Sequence, residues 1–484
     1  MSLDVERRIL RHLHNPKTQT HLHQIHAHFI RHQLHQSNQI ISHFISTICN
    51  SHHKTQYAES IFQQTLFPNL QVFNSMIKGY SLFGPFEKAL VLFSQMKGCD
   101  MRVDEYTFAP LIKACGGLRD VRVGECVHGG VLRNGLGGFR GIGIGLVELY
   151  SGWARMRDAL KVFEEMPERK EVVVWNFLIN GFCKGGDVET GLWVFRGMSE
   201  RSVVSWNVVL SWLAKSGRDG EALRVFEEMK GDGFRPDEAT VVTVLPVCAR
   251  LGAVYVGEWI VSYAAEFSNL FVEFVTVGNA IVNFYCKCGD LIAAQKFFRD
   301  MPQKNVTSWN TMISGLAYNG KNELGLTMFD EMIHMGVRPD HSSFVAVLTC
   351  CAHGKLVQKG RDYFDLMTQK YQLQPRLEHY GCMVDLLGRV GCVREAYKLI
   401  RGMPMRPNTT IWGSLLSSSR TYSVLELAEC AVNELIDLGP WESGNYVLLS
   451  NIKAEGGKWE SAEEVRLLMD ENSVKKVAGQ SIAG

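Results

Sequence analysis

Residues 306–340 read VTSWNTMISGLAYNGKNELGLTMFDEMIHMGVRPD. Ile313 and Leu316 share one face of a helical first half. Leu326, Phe329, Met332 and Ile333 follow helical spacing in the second half. Asn319-Gly320 lies between the halves and is a strong turn signal. Gly336 stops the second helix, and Pro339 follows shortly after. The stretch therefore predicts two helices joined by a tight turn, and neither can bury its apolar face alone.

The opening five letters recur. Residues 203–207 read VVSWN and residues 172–176 read VVVWN. Phe73-Asn74, Trp175-Asn176, Trp206-Asn207 and Trp309-Asn310 each open a similar block. Each block closes on F-x-x-M, at Phe93 to Met96, Phe195 to Met198, Phe226 to Met229 and Phe329 to Met332. Phe163 to Met166 and Phe298 to Met301 keep only the ending. Laid end to end, the blocks are 39–69, 70–104, 105–139, 140–171, 172–202, 203–237, 238–274, 275–305, 306–340, 341–376 and 377–408. Residues 1–38 precede them as an N-terminal segment with a partial repeat, and 409–484 follow as an extension. Blocks of 31 to 37 residues predict an all-α solenoid of helix-turn-helix repeats. Their stacking curves into a superhelix with a concave face.

Composition agrees with a folded chain. Of its 484 residues, 46% are hydrophobic and 21% charged, and the net charge is +1. No strong positive field draws nucleic acid from a distance, although a locally basic groove stays compatible with that balance. No apolar run approaches a membrane span, so no membrane partner is expected. The N-terminus carries Arg7, Arg8 and Arg11 beside Asp4 and Glu6, a weak match to an organelle transit peptide. The 13 cysteines have no framework spacing and are expected to be reduced and packed in helices. Tyr285-Cys286-Lys287-Cys288-Gly289 is read as a repeat element, and Cys350-Cys351 as unbridged. Eleven of the 16 histidines precede residue 54. His28, His32 and His35 can share a helix face, where a solvated face outweighs metal binding.

The blocks resemble the pentatricopeptide repeat proteins of plants, in the class where standard, long and short repeats alternate (PLS). NAIVNFYCKCGDLIAAQKFFRDMPQKN (279–305) is similar to a short repeat. LEHYGCMVDLLGRVGCVREAYKLIRGMP (377–404) is similar to the characteristic last short repeat. TTIWGSLLSSSRTYSVLELAECAVNEL (409–435) and GNYVLLSNIKAEGGKWESAEEVRLLM (444–469) resemble the E-type extension. RGIGIG at 140–145 departs from the usual opening, and block 172–202 is shorter than a standard repeat. The resemblance implies a right-handed superhelix that binds single-stranded organellar RNA, one base per repeat.

In that family the fifth and last residues of a repeat discriminate the base. Carried over, these are Asn74 with Asp104, Asn176 with Ser202, Asn207 with Asp237, Asn279 with Asn305, and Asn310 with Asp340. An amide has both donors and acceptors for a base edge. By the family's code, Asn with Asp favours U, Asn with Ser favours C, and Asn with Asn accepts either pyrimidine. Ala109 with Phe139, Ile144 with Glu171, Val242 with Phe274 and Val345 with Arg376 carry no usable preference. Asp and Asn are also favoured helix N-caps, so capping is a fair reading of Asp237 and Asp340. The Trp residues, and the Val residues before them, are expected to pack the stack.

The resemblance further implies a specificity factor for C-to-U editing. A zinc deaminase needs His-x-Glu and Pro-Cys-x-x-Cys. The sequence contains no His-x-Glu and no Cys-x-x-Cys. No catalytic residue, metal or cofactor is therefore expected, and a deaminase-bearing partner would dock on the E-type extension. Other readings stay open: an organellar RNA splicing, processing or stability factor, or a protein–protein scaffold. The expected compartment is the mitochondrion, with the chloroplast as the alternative.

Overall fold

The computed structural model describes residues 6, 9–10, 13, 19–52, 54–166, 171–267, 274–439 and 443–471. Among them every regular element is a helix. The chain divides into two compact units, Met1–Arg235 and Pro236–Gly484. Each unit is a stack of helix pairs.

In the first unit, after Gln19–Arg31, a leading helix and a trailing helix alternate. The pairs are Asn38–His52 with Thr55–Gln63, Leu70–Phe83 with Phe86–Gly98, and Glu105–Leu118 with Val121–Arg133. Arg140–Gly152 with Met156–Glu165, Val172–Lys184 with Val188–Arg196, and Val203–Lys215 with Asp219–Gly231 follow. In the second unit they are Glu238–Leu251 with Val254–Ser262, Val275–Cys288 with Leu291–Asp300, and Val306–Tyr318 with Asn322–His334. His341–Gly354 with Val357–Asp365, Leu377–Arg389 with Val393–Arg401, Thr409–Thr421 with Leu425–Leu438, and Ser443–Glu455 with Trp459–Glu471 complete it. The solenoid expected from the repeat period is thus the architecture of each unit.

Local chemistry starts and stops these helices. Asp104, Ser202, Asp237, Asn305 and Asp340 each stand just before a leading helix. Each accepts from the backbone N–H three residues on, at Thr107, Ser205, Thr240, Ser308 and Ser343. Each of those hydroxyl oxygens in turn accepts from the cap residue's own backbone N–H, which completes a capping box. Between the two helices of residues 306–340, Gly320 adopts φ +71°, a conformation costly for any residue with a Cβ.

Two seams join successive repeats. The first is aromatic: the Phe that closes one repeat meets the aromatic residue that opens the next, edge to face. Phe93–Phe108, Phe163–Trp175, Phe195–Trp206, Phe298–Trp309 and Phe329–Phe344 have centroids 5.4, 5.0, 4.8, 5.0 and 5.4 Å apart. Such a contact contributes about 0.5–1.5 kcal/mol beyond area burial. The second seam is made of small residues where leading helices cross. A Cβ on Gly315 would lie 2.2 Å from Cys286 Sγ, and one on Gly79 would lie 2.5 Å from Cys49 Sγ. Trp206 and Trp309 are buried in the first seam, as core residues and not as platforms for a ligand.

Candidate functional site

In two repeats the capping residue of a leading helix is hydrogen-bonded to the fifth residue of the leading helix before it. In the second unit, Asn310 Nδ2 donates to Asp340 Oδ1 at 3.0 Å. The same oxygen accepts from the Ser343 backbone N–H at 2.9 Å and from the Ser343 hydroxyl at 3.0 Å. In the first unit, Asn74 Nδ2 donates to Asp104 Oδ1 at 3.1 Å, and Asn74 Oδ1 accepts from the Thr107 hydroxyl at 2.8 Å. Residues thirty apart in sequence thus share one hydrogen-bond network. An ionised carboxylate only accepts, so it fixes which end of the amide faces it.

For Asp340, desolvation pushes the carboxyl pKa up. The bonds from the Ser343 N–H, Asn310 and the Ser343 hydroxyl outweigh it, and the net direction is down. Asp340 is therefore an anion at neutral pH. Capping and pairing with asparagine are one arrangement at Asp104 and Asp340, not alternatives.

The remaining expected residues are arranged differently. Asn176 is only 8% exposed, and no hydrogen bond joins it to Ser202, whose hydroxyl is engaged with Ser205. Asn305 directs its amide oxygen to Ser308, and no bond links it to Asn279. Asn207 is half-buried at the end of the first unit, and Asp237 opens the second, capping through Thr240 at 2.9 Å. Asn176, Asn279 and Asn310 each leave the amide oxygen buried and unpaired. An orphaned buried acceptor costs about 1–3 kcal/mol, which a donor arriving from a ligand would offset.

Asn310 and the Asn74–Asp104 pair each line an open cavity. Asn310 lines one of about 460 Å³ with Asn283, Lys287, Ser314, Tyr318 and Glu378. Asn74 and Asp104 line one of about 920 Å³ with Lys78, Tyr106 and Phe139. The Lys287 ammonium sits 4.0 Å from the centre of the Tyr318 ring. Lys184, Lys215 and Lys287 all fall in the last turn of leading helices, where they also complement the helix dipole.

The sequence reading missed one element. The second Val of VVSWN does not pack the stack: Val204 is 57% exposed, and its counterpart Val173 is 50% exposed. Each precedes its asparagine by three residues, a spacing that places both on one helix face. That spacing was the available signal. Among the described residues no group of three His, Cys, Asp or Glu side chains could hold a metal. The rings of His28 and His32 meet edge to face at 4.6 Å. All 13 cysteines are free thiols. No helix of the described residues is long and apolar enough to cross a membrane. The N-terminal Arg7, Arg8 and Arg11, and residues 472–484 of the extension, lie outside the described residues.

Comparison with known proteins adds the following. Residues 68–117, 201–250 and 304–353 match the PPR repeat family, and 173–203, 279–306 and 378–406 match the PPR repeat. Residues 422–483 match the E motif. The chain is 52% identical to the pentatricopeptide repeat-containing protein At1g09190 of Arabidopsis thaliana, over 99% of each chain. It is 37% identical to At5g56310 of the same plant, over 97% of this chain and 88% of that one. It is also 31% identical to At1g08070, chloroplastic, over 97% and 77%. Among solved structures it is similar to the pentatricopeptide repeat protein PPR10 from maize, at 16% identity and a TM-score of 0.45, over 94% of this chain and 84% of that one. It is similar, too, to PPR10 in complex with an 18-nt psaJ RNA element, at 17% identity and a TM-score of 0.47, over 91% and 75%.

Proposed function

The chain belongs to the pentatricopeptide repeat family, and from that premise we propose that it binds single-stranded RNA in a plant organelle and selects cytidines for C-to-U editing. The observation that carries this reading is the Asn310–Asp340 pair, which recurs as Asn74–Asp104. Uracil presents an N3–H donor where cytosine presents an acceptor. The bonds from Asn310 and from the Ser343 N–H and hydroxyl all go to Oδ1, and the second carboxylate oxygen is an acceptor suited to a uracil N3–H. The asparagine amide supplies the complementary donor and acceptor for a pyrimidine edge. Ser202, a hydroxyl that also donates, suits cytosine beside Asn176. The lysines of the leading-helix ends supply the phosphate contacts that any RNA-binding groove needs.

In this reading the repeats are of the PLS class, and the E-type extension docks a deaminase-bearing partner. The catalyst comes from that partner because the sequence holds neither motif of the zinc deaminases. The mitochondrion is the proposed compartment, with the chloroplast as the second choice.

A gel-shift series tests the RNA-reading part. RNA with uridine opposite the Asn310 repeat should bind about tenfold better than RNA with a purine there, the scale expected for one unpaired buried polar group. Asn310→Ala should remove that difference. Equal binding of both RNAs by the wild-type protein would refute base reading. Sequencing mitochondrial and plastid transcripts from plants lacking the protein tests the editing part. Full editing at every cytidine would refute it, and loss of splicing or end-trimming instead would favour an RNA-processing factor.

A further inference from the structure

Charge is not spread evenly along the chain. Residues 409–471 hold eleven carboxylates and four cations, a net charge of −7 within a chain whose total is +1. Three of those cations are occupied within the fold. Lys453 and Lys458 both pair with Glu429, at 3.2 Å each, and Arg466 Nε donates to Ser450 Oγ at 3.0 Å. Glu460, Glu463 and Glu464 are exposed on the last described helix, Trp459–Glu471. Among the described residues no ion pair engages them. A surface of this sign repels phosphate, so it is unfavourable to RNA.

The same helix holds two large apolar side chains in water. Trp459 is 72% exposed and Leu467 58%. The packed face is a different one: Ala462 and Met469 are buried, and Val465 and Met469 pack with Tyr446. Neither exposed residue is therefore needed for the core. At about 100° per residue, Trp459, Glu463, Leu467, Glu460 and Glu464 follow one another around a single face. Trp459 and Leu467 are eight residues apart, about 12 Å along the axis. That is close to the span of residues i and i+7 on a partner helix, the anchors by which an amphipathic helix docks.

We propose that this face docks a basic amphipathic helix of the partner protein. Trp459 and Leu467 seat among its apolar side chains, and Glu460, Glu463 and Glu464 pair with its lysines and arginines. The inference rests on the reading in which the extension recruits a partner, and it adds where that partner sits and what chemistry it presents. Charge complementarity selects the occupant. RNA brings phosphates, and a second copy docked face to face brings the same carboxylates. The indole supplies the holding energy, as buried tryptophans do at interfaces, and the carboxylates around it select and steer.

The test uses the full chain and synthetic helices that share one leucine face and carry Lys, Gln or Glu on the other. By fluorescence anisotropy, wild-type protein should bind the Lys helix best and the Glu helix worst. Trp459→Ala/Leu467→Ala should weaken the Lys helix about thirtyfold or more, the scale of a hot-spot residue. Glu460→Lys/Glu463→Lys/Glu464→Lys should reverse the ranking. All five side chains are exposed, so both variants keep their fold; circular dichroism checks this. In plants lacking the protein, both variants should bind RNA as wild type does and fail to restore editing. Equal binding of the Lys helix by all three proteins, or its displacement by saturating RNA, refutes the docking face. Tighter binding by Lys475→Glu/Lys476→Glu also refutes it, because the face would then belong to the chain's own tail. Full restoration of editing by both variants refutes the face and leaves the editing reading standing. If plants lacking the protein lose no editing, that reading fails and the helix ranking alone decides the face.

Discussion

Asp340 has two separable duties, and a pair of substitutions divides them. Asp340→Ala removes three hydrogen bonds: from the Ser343 N–H, the Ser343 hydroxyl and Asn310. Losing an N-cap costs about 0.5–2 kcal/mol. The Asn310 amide sits at the groove edge, where water replaces its partner, so the total stays at about 1–2 kcal/mol. Asp340→Ser keeps a cap of the kind Ser202 makes with Ser205 and should cost under about 0.5 kcal/mol. A global melting temperature is a poor measure for a repeat array, whose stability is shared among neighbours. Amide hydrogen exchange at Ser343 and Phe344 reads the helix start directly. The alanine variant should speed exchange there by about five- to thirtyfold, and the serine variant by no more than about twofold.

The same serine variant should move the base preference at that nucleotide from U to C. The pH dependence follows from the lowered pKa of Asp340. A depressed carboxylate stabilises above its unfolded value, about 3.9, and loses that contribution as pH falls through the folded value. The gap between wild type and Asp340→Ala should therefore hold down to about pH 4 and close only below it. Equal damage from serine and alanine, or a gap that closes near pH 6, would refute the assignment.

Other outcomes follow from the seams. Gly257→Ala should destabilise the second unit by about 1–3 kcal/mol or more, because its Cβ would sit 2.1 Å from the buried Phe284 ring. Gly141→Ala meets open space in a helix and should stabilise by about 0.5–1 kcal/mol in a thermal or denaturant comparison. Trp309→Ala, which empties the contact with Phe298, should cost about 3–5 kcal/mol by urea titration. Burial pushes the Cys286, Cys350 and Cys351 thiols up to about 12. Iodoacetamide at pH 7.5 should therefore label the exposed Cys99, Cys126 and Cys392 first, and a mass spectrum showing early modification of Cys286 would contradict that burial.

The helix-pair solenoid was legible because its signals are local: Asn319-Gly320 turns the chain, and Leu326, Phe329 and Met332 repeat at helical spacing. The core role of Trp206 and Trp309 was legible because an aromatic residue recurs at one point of every standard block. The hydrogen bond from Asn310 to Asp340 depends on how two successive leading helices cross, and no pattern within either helix specifies it. Nor does any local pattern separate Asn74, whose amide nitrogen and oxygen each make one hydrogen bond, from Asn176, which is buried and not bonded to Ser202. Val204 was misread because an apolar residue beside a buried Trp looks like core until its rotation about the helix axis is known.

The capping box has a consequence for how such a protein changes. The residue beside each asparagine must also begin a helix, so it is drawn from Asp, Asn, Ser and Thr, the side chains short enough to fold back on the backbone. Swaps within that set leave the scaffold almost untouched while altering which atoms face the groove. A lineage can therefore drift from one target to another through folded intermediates at every step. The chemistry of starting a helix sets the alphabet in which those targets can be written.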